Sequence, residues 1–151
     1  MSSQIYTTNS EEEMIALGEQ LALRLPTPSV VFLEGNLGAG KTTLTKGIVK
    51  GLGAAAAEDV SSPTFTLIHE YGNPTRVYHI DLYRLDEPRE LATLGLDDIF
   101  DQPAVVVIEW PEKFASWLPR DPIRIQISSH NDTRTVRMTM PAHVNCRPGI
   151  N

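Results

Sequence analysis

Cysteine is almost absent from this chain. Cys146 stands alone, so no internal disulfide can form, and the composition fits a reducing compartment. Also missing is any apolar run near the roughly 18 residues that a membrane-spanning helix requires. The N-terminal Met1-Ser2-Ser3-Gln4 lacks the basic and apolar regions of a secretory signal. A cytoplasmic protein without a membrane partner is therefore expected. Positive charge is in the minority, with 13 Lys and Arg against 19 Asp and Glu and a net charge of −6. Binding to nucleic acid rests on Lys and Arg neutralising phosphates, and no basic block stands out here. If the protein serves a nucleic-acid pathway, another subunit is expected to hold the nucleic acid. His69, His79, His130 and His143 show no metal-ligand spacing, which argues against zinc. There is no Gly-x-Ser-x-Gly nucleophile turn, so Ser/His hydrolase chemistry has no support.

What is present reads as one α/β domain spanning residues 1–140, followed by a disordered tail over 141–151. Ser10-Glu11-Glu12-Glu13 has the form of a capping box. Met14, Leu17, Leu21 and Leu25 then recur at helical spacing until Pro26 and Pro28 end the pattern. Residues 30–33 and 104–108 are continuous apolar runs, suited to strands covered on both faces. Leu44, Ile48 and Leu52 mark a helix between them. Residues 65–71 and the alternating stretch around Tyr78, Ile80 and Leu82 read as an antiparallel pair joined by Gly72-Asn73-Pro74. A short helix starts at Asp86-Glu87-Pro88, and another opens at Pro111 and carries Trp117 and Leu118. Ile123, Ile125 and Ile127, then Val136, Met138 and Met140, alternate with polar residues and form a second hairpin. Trp110 and Trp117 read as packing residues.

The strongest chemical signal is Gly35-Asn36-Leu37-Gly38-Ala39-Gly40-Lys41-Thr42, directly after the first apolar run. It satisfies the phosphate-loop pattern G-x-x-x-x-G-K-[ST], and a helical pattern follows it. The glycines let backbone N–H groups approach phosphates closely. Lys41 can reach the β- and γ-phosphates as a point charge, and the Thr42 hydroxyl can ligate Mg²⁺.

Hydrolysis also needs a carboxylate near the metal and a group that positions water. Two acids compete for that work. Glu109 closes the second apolar run, as a Walker B acid does, or else is an exposed carboxylate capping the following helix. Asp81 shares one strand face with His79 and Tyr83, or else forms a structural salt bridge, for instance to Arg84. Ser62-Pro63-Thr64 is either a switch-like segment that senses the γ-phosphate or a proline turn before a strand. No Asn-Lys-x-Asp guanine-reading segment and no Arg-rich lid are visible, so ATP is favoured over GTP, and hydrolysis over a small-molecule kinase. A nucleotide-gated binding module with negligible turnover stays open as the rival from another class.

Together, residues 35–43, Ser62-Pro63-Thr64-Phe65, His79-Ile80-Asp81-Leu82-Tyr83-Arg84 and Ile108-Glu109-Trp110 strongly resemble the TsaE family. These are the bacterial P-loop ATPases of tRNA threonylcarbamoyladenosine biosynthesis. The likeness covers residues 5–140 in order and spacing, and departs only in details such as Asn36 for aspartate and Phe65 for tyrosine. It implies a single-domain P-loop NTPase with a mixed central sheet flanked by helices. It also implies ATP bound by Gly35, Gly38, Ala39, Gly40, Lys41, Thr42, Thr43 and Thr64, with Mg²⁺ held by Thr42 and Glu109. Asp81 and Glu109 become the catalytic carboxylates. The implied partners are the catalytic and scaffolding subunits of a transferase complex that modifies the adenosine beside the anticodon, in tRNAs reading codons that begin with A. Adenine contacts are expected from the N-terminal segment and the turn over residues 130–134.

Overall fold

Parallel neighbours cannot be joined by a tight turn, so the central strands of this chain are separated by helix-bearing crossovers. The structure, a computed structural model, describes residues 2–63 and 65–142. In chain order it runs β1 (Ser2–Thr8), α1 (Glu11–Ala22), β2 (Ser29–Glu34), α2 (Lys41–Gly51), β3 (Ile68–Tyr71) and β4 (Val77–Asp81). Two short helices, α3 (Pro88–Ala92) and α4 (Leu96–Phe100), precede β5 (Val105–Glu109), a 3-10 segment (Pro111–Trp117), β6 (Ile123–His130) and β7 (Thr133–Met140). The seven strands form one sheet in the order β1-β7-β6-β2-β5-β4-β3. β6, β2, β5 and β4 are mutually parallel, while β3, β7 and β1 pair antiparallel toward the two edges. This is the single-domain mixed-sheet α/β architecture expected. Of the tail expected over 141–151, residues 143–151 lie outside the described residues.

Both apolar runs become strands with two covered faces. Val31, Leu33, Val105 and Val107 face a core shared with Leu17, Leu21, Leu44 and Ile48 of α1 and α2. Phe32, Val106, Ile108 and Ile80 face the opposite core, closed by Leu91, Leu96, Phe114 and Leu118. The alternating hairpin buries one face only, and Arg124, Gln126 and Arg137 stay in water.

Several local details differ from the sequence expectation. Ser10 caps α1 through Glu13 N–H at 3.1 Å, but Glu13 reaches back to the N–H of Asn9 at 2.8 Å rather than to that of Ser10. Helix α1 stops at Ala22, because residues 23–25 tighten to i→i−3 bonds on the way to Pro26. β1 carries no hydrophobic alternation. It forms because its backbone pairs with β7 in a continuous register from Ser2↔Met140 to Thr8↔Arg134. The strand expected from residue 65 begins only at Ile68. Leu67 adopts φ +71 and donates its N–H to the Pro63 carbonyl at 2.6 Å, which closes a turn and leaves Phe65 exposed.

Helices α1 and α2 cross in close contact at Gly18 and Gly47. A Cβ built on Gly47 would lie 2.0 Å from the Ile15 carbonyl oxygen and 2.8 Å from Gly18 Cα. Both obstacles are backbone, so no side-chain rearrangement relieves them. We predict that Gly47→Ala lowers the denaturant midpoint by the equivalent of about 1–3 kcal/mol, as overpacking does. The loss would occur although alanine is the better helix former by about 1 kcal/mol. Alanine at the exposed Lys50 of the same helix should be close to neutral. An unchanged or raised midpoint for Gly47→Ala would show that the helices can separate freely.

Candidate functional site

β2 ends at Glu34, and the chain must pass from strand to helix within a few residues. Gly38 and Gly40 accomplish this in the left-handed region, at φ +78 and +110, where a side chain is strained. Gly35 packs so closely on β6 that a Cβ would sit 2.8 Å from the Ile127 carbonyl oxygen. Ala39 sends its methyl into the core and donates its N–H to the Asn36 carbonyl at 3.0 Å, so it shapes the loop from within. Helix α2 then starts at Lys41 without a side-chain cap. Its first-turn N–H groups have no intrahelical partner, which makes this helix end suited to an anion.

The neighbouring strands bring acids to the same level. In the parallel ladder Leu33 pairs with Glu109, and Glu109 pairs with Asp81. Both carboxylates therefore lie at the carboxyl ends of parallel strands, beside the loop. A cavity of about 430 Å³ is lined by Lys41, Thr42, Ser62, Asp81, Glu109 and Trp110, among others. Across Gly38, Gly40 and Thr43 lies a second cavity of about 370 Å³, bounded by Asn9, Ser10, Met14, Asp132 and Arg134. The N-terminal segment and the β6–β7 turn thus meet on the far side of the phosphate loop. A larger cavity of about 700 Å³ among α3, α4 and Trp117 contains none of these groups.

Lys41 is nearly buried and donates from Nζ to the Gly35 carbonyl at 2.7 Å. The same ammonium lies 3.8 Å from the centroid of the Trp110 ring. Trp110 is thus more than a packing residue. It holds a left-handed backbone conformation (φ +60) directly after Glu109, and its ring tilts against Tyr83 at 4.9 Å. Burial pushes the Lys41 amine below the usual lysine range, while Glu109, Asp81 and Glu112 oppose that shift.

Glu109 is buried, not an exposed helix cap, and its Oε2 lies 2.5 Å from Nε2 of the fully buried His79. Asp81 is also buried and accepts a 2.9 Å hydrogen bond from the N–H of Tyr83. The guanidinium of Arg84 lies over the Phe65 ring. Thr64 lies outside the described residues, whereas Ser62 lines the cavity. Thus the cavity brings Gly38, Gly40, Lys41, Thr42 and Thr43 of the loop together with Asp81 and Glu109. His79 and Trp110 gain roles that the sequence did not give them. His79 was placed only on the face of Asp81 and Trp110 read only as packing, and their contacts to Glu109 and Lys41 depend on the tertiary structure.

The chain has relatives among known proteins. Residues 8–137 match the family model TsaE, described as threonylcarbamoyl adenosine biosynthesis protein. The chain is similar to the tRNA threonylcarbamoyladenosine biosynthesis protein TsaE of Haemophilus influenzae, 40% identical over 134 residues that cover 85% of this chain and 84% of the relative. It is 38% identical over 136 residues to the Bacillus subtilis protein of the same name, covering 89% of this chain and 84% of the relative. Among solved structures, the crystal structure of YdiB from Bacillus subtilis superposes with a TM-score of 0.75. That match is 33% identical and covers 93% of this chain and 87% of the other.

The environment of Lys41 carries a measurable consequence. In an NMR titration of lysine side chains, its midpoint should fall below the ordinary 10.5. Glu109→Gln should lower it further, since that carboxylate favours the charged amine. The folded state gives up this proton before the unfolded chain does, so Lys41 makes stability rise with pH across that window. A midpoint at or above the ordinary value would contradict the burial.

Proposed function

This chain belongs to the TsaE family, and on that premise we propose that it is a P-loop ATPase serving tRNA threonylcarbamoyladenosine biosynthesis. The observation that carries the reading is the facing of Lys41 and Thr42 with Asp81 and Glu109 across one cavity. In this reading the phosphates of ATP lie on Gly35, Gly38, Ala39, Gly40, Lys41, Thr42 and Thr43, with Thr64 completing the set. The adenosine occupies the adjoining cavity between α1 and the β6–β7 turn.

Thr42 and Glu109 would hold Mg²⁺. The donor set fits, because a hydroxyl and a carboxylate are hard oxygen ligands, and Mg²⁺ uses only one or two such groups beside substrate phosphates. No group of three or more His, Cys, Asp or Glu that could hold a metal occurs among the described residues, and none is needed for that arrangement. When bound, the ion neutralises charge on the phosphate oxygens. Lys41 contributes a further positive charge from the wall of the same cavity. Asp81, anchored by the Tyr83 N–H, presents a carboxylate that can orient water for attack on the γ-phosphate.

The protein acts with the catalytic and scaffolding subunits of the transferase complex, and tRNA is contacted mainly through them. The net charge of −6 supports that division, since a polyanion is repelled by this chain alone. No helix among the described residues is long and apolar enough to cross a membrane, and the proposed site of action is the cytoplasm.

Phosphate release should be measured with and without the purified transferase subunits, alongside multi-turnover tRNA modification. Stimulated hydrolysis is expected, falling about 10²–10³-fold in Lys41→Ala, the scale for losing one charge-stabilising group. Transfer of the γ-phosphate to a nucleoside or metabolite would instead identify a kinase. Robust modification by a hydrolysis-dead variant would favour pure nucleotide gating.

A further inference from the structure

His79 is the least expected side chain near the site. It sits on β4 between Val77 and Asp81 on the face turned toward α1 and α2, and it is 0% exposed. An imidazole placed where a valine or leucine would pack must lose the hydration of both ring nitrogens. Nε2 recovers a partner in Glu109 Oε2 at 2.5 Å, whereas Nδ1 has no partner among the described residues. An ionised carboxylate offers acceptors only, so the proton of this contact belongs to Nε2 and the imidazole donates. Nδ1 then keeps its lone pair, and no N–H is stranded in the interior.

The strand register explains how the contact arises. His79 stands opposite Val107 and Asp81 stands opposite Glu109, so Glu109 is the diagonal same-face neighbour of His79. Of the three polar side chains, Asp81 and Glu109 line the cavity, and His79 lies behind them. With Oε2 of Glu109 tied to the ring, Oε1 is the oxygen left for the cavity.

We propose that His79 is a positioning residue that fixes the Glu109 carboxylate from behind and so presents Oε1 as a preorganised metal ligand. This rests on the reading of Glu109 as a Mg²⁺ ligand given above. A ligating carboxylate held by an outer hydrogen bond loses little freedom when the ion binds, and removing such partners typically weakens metal affinity about 10–100-fold. The donor must be the ring N–H. A side chain that only fills the space leaves Glu109 free to rotate and stranded against an apolar wall.

The test compares wild type with H79L, H79Q and E109Q. Mn²⁺ affinity is measured by the EPR signal of the free ion, in the presence of a non-hydrolysable ATP analogue. Binding of the same analogue in EDTA is measured in parallel. H79L should weaken Mn²⁺ binding about 10–100-fold. H79Q, whose amide N–H can reach the same oxygen, should restore most of the affinity. Metal-free nucleotide binding should stay within about twofold in both, as the phosphate loop is untouched. Weakened binding in E109Q together with wild-type affinity in H79L would overturn the positioning role. Unchanged affinity in E109Q would overturn the metal reading itself. H79Q as weak as H79L would assign the effect to ring shape rather than to the donor. Should H79L fail to fold, ¹⁵N NMR of the wild-type imidazole decides independently: protonated Nε2 with bare Nδ1 is expected, and the opposite tautomer would refute the proposal.

Discussion

The parallel pairing of β2, β5 and β4 is the constraint on which the rest of the molecule depends. Its backbone ladder aligns Leu33, Glu109 and Asp81 in one row, so the phosphate loop and two carboxylates emerge side by side. A slip of one residue between β4 and β5 would turn one acid toward the opposite core, among Phe32, Ile80 and Ile108. The apolar faces on both sides of these strands prevent that slip. Burial of valine and isoleucine thus determines where the charges lie.

A second constraint joins the two cavities. Helix α1 begins beside one of them, at Ser10 and Met14, and α2 begins at Lys41 beside the other. Their close crossing at Gly18 and Gly47 sets how far apart these helix starts can be. Within the site, charges are balanced at short range. Lys41 is desolvated, yet three carboxylates favour its charged form, and the Trp110 face lies over the ammonium. Trp110 keeps a left-handed backbone conformation immediately after Glu109, the kind of local strain that concentrates at functional sites.

Much of this was legible in the residues themselves, wherever a local pattern had one physical solution. The Gly-rich loop between an apolar run and a helical pattern read as a tight strand-to-helix turn. Residues 30–33 and 104–108 suited covered strands, which the structure places at Ser29–Glu34 and Val105–Glu109. β1 escaped notice because its backbone pairing with β7, rather than any alternation, makes it a strand. The turn at Leu67 escaped because φ +71 is imposed by the Pro63 carbonyl and not announced by leucine. Glu109 admitted two readings until its burial excluded the exposed one.

The sequence alone determined the phosphate loop, the alternation of helix and strand, the acidic balance and the family, because each is written in short spacing or composition. Tertiary structure alone decided which acids face Lys41, that His79 backs Glu109, and that Trp110 lies against the lysine. Those contacts join β4, β5 and α2, elements separated by tens of residues. Their partners are chosen by strand register and by the face each residue occupies. Neither quantity exists until the sheet has formed.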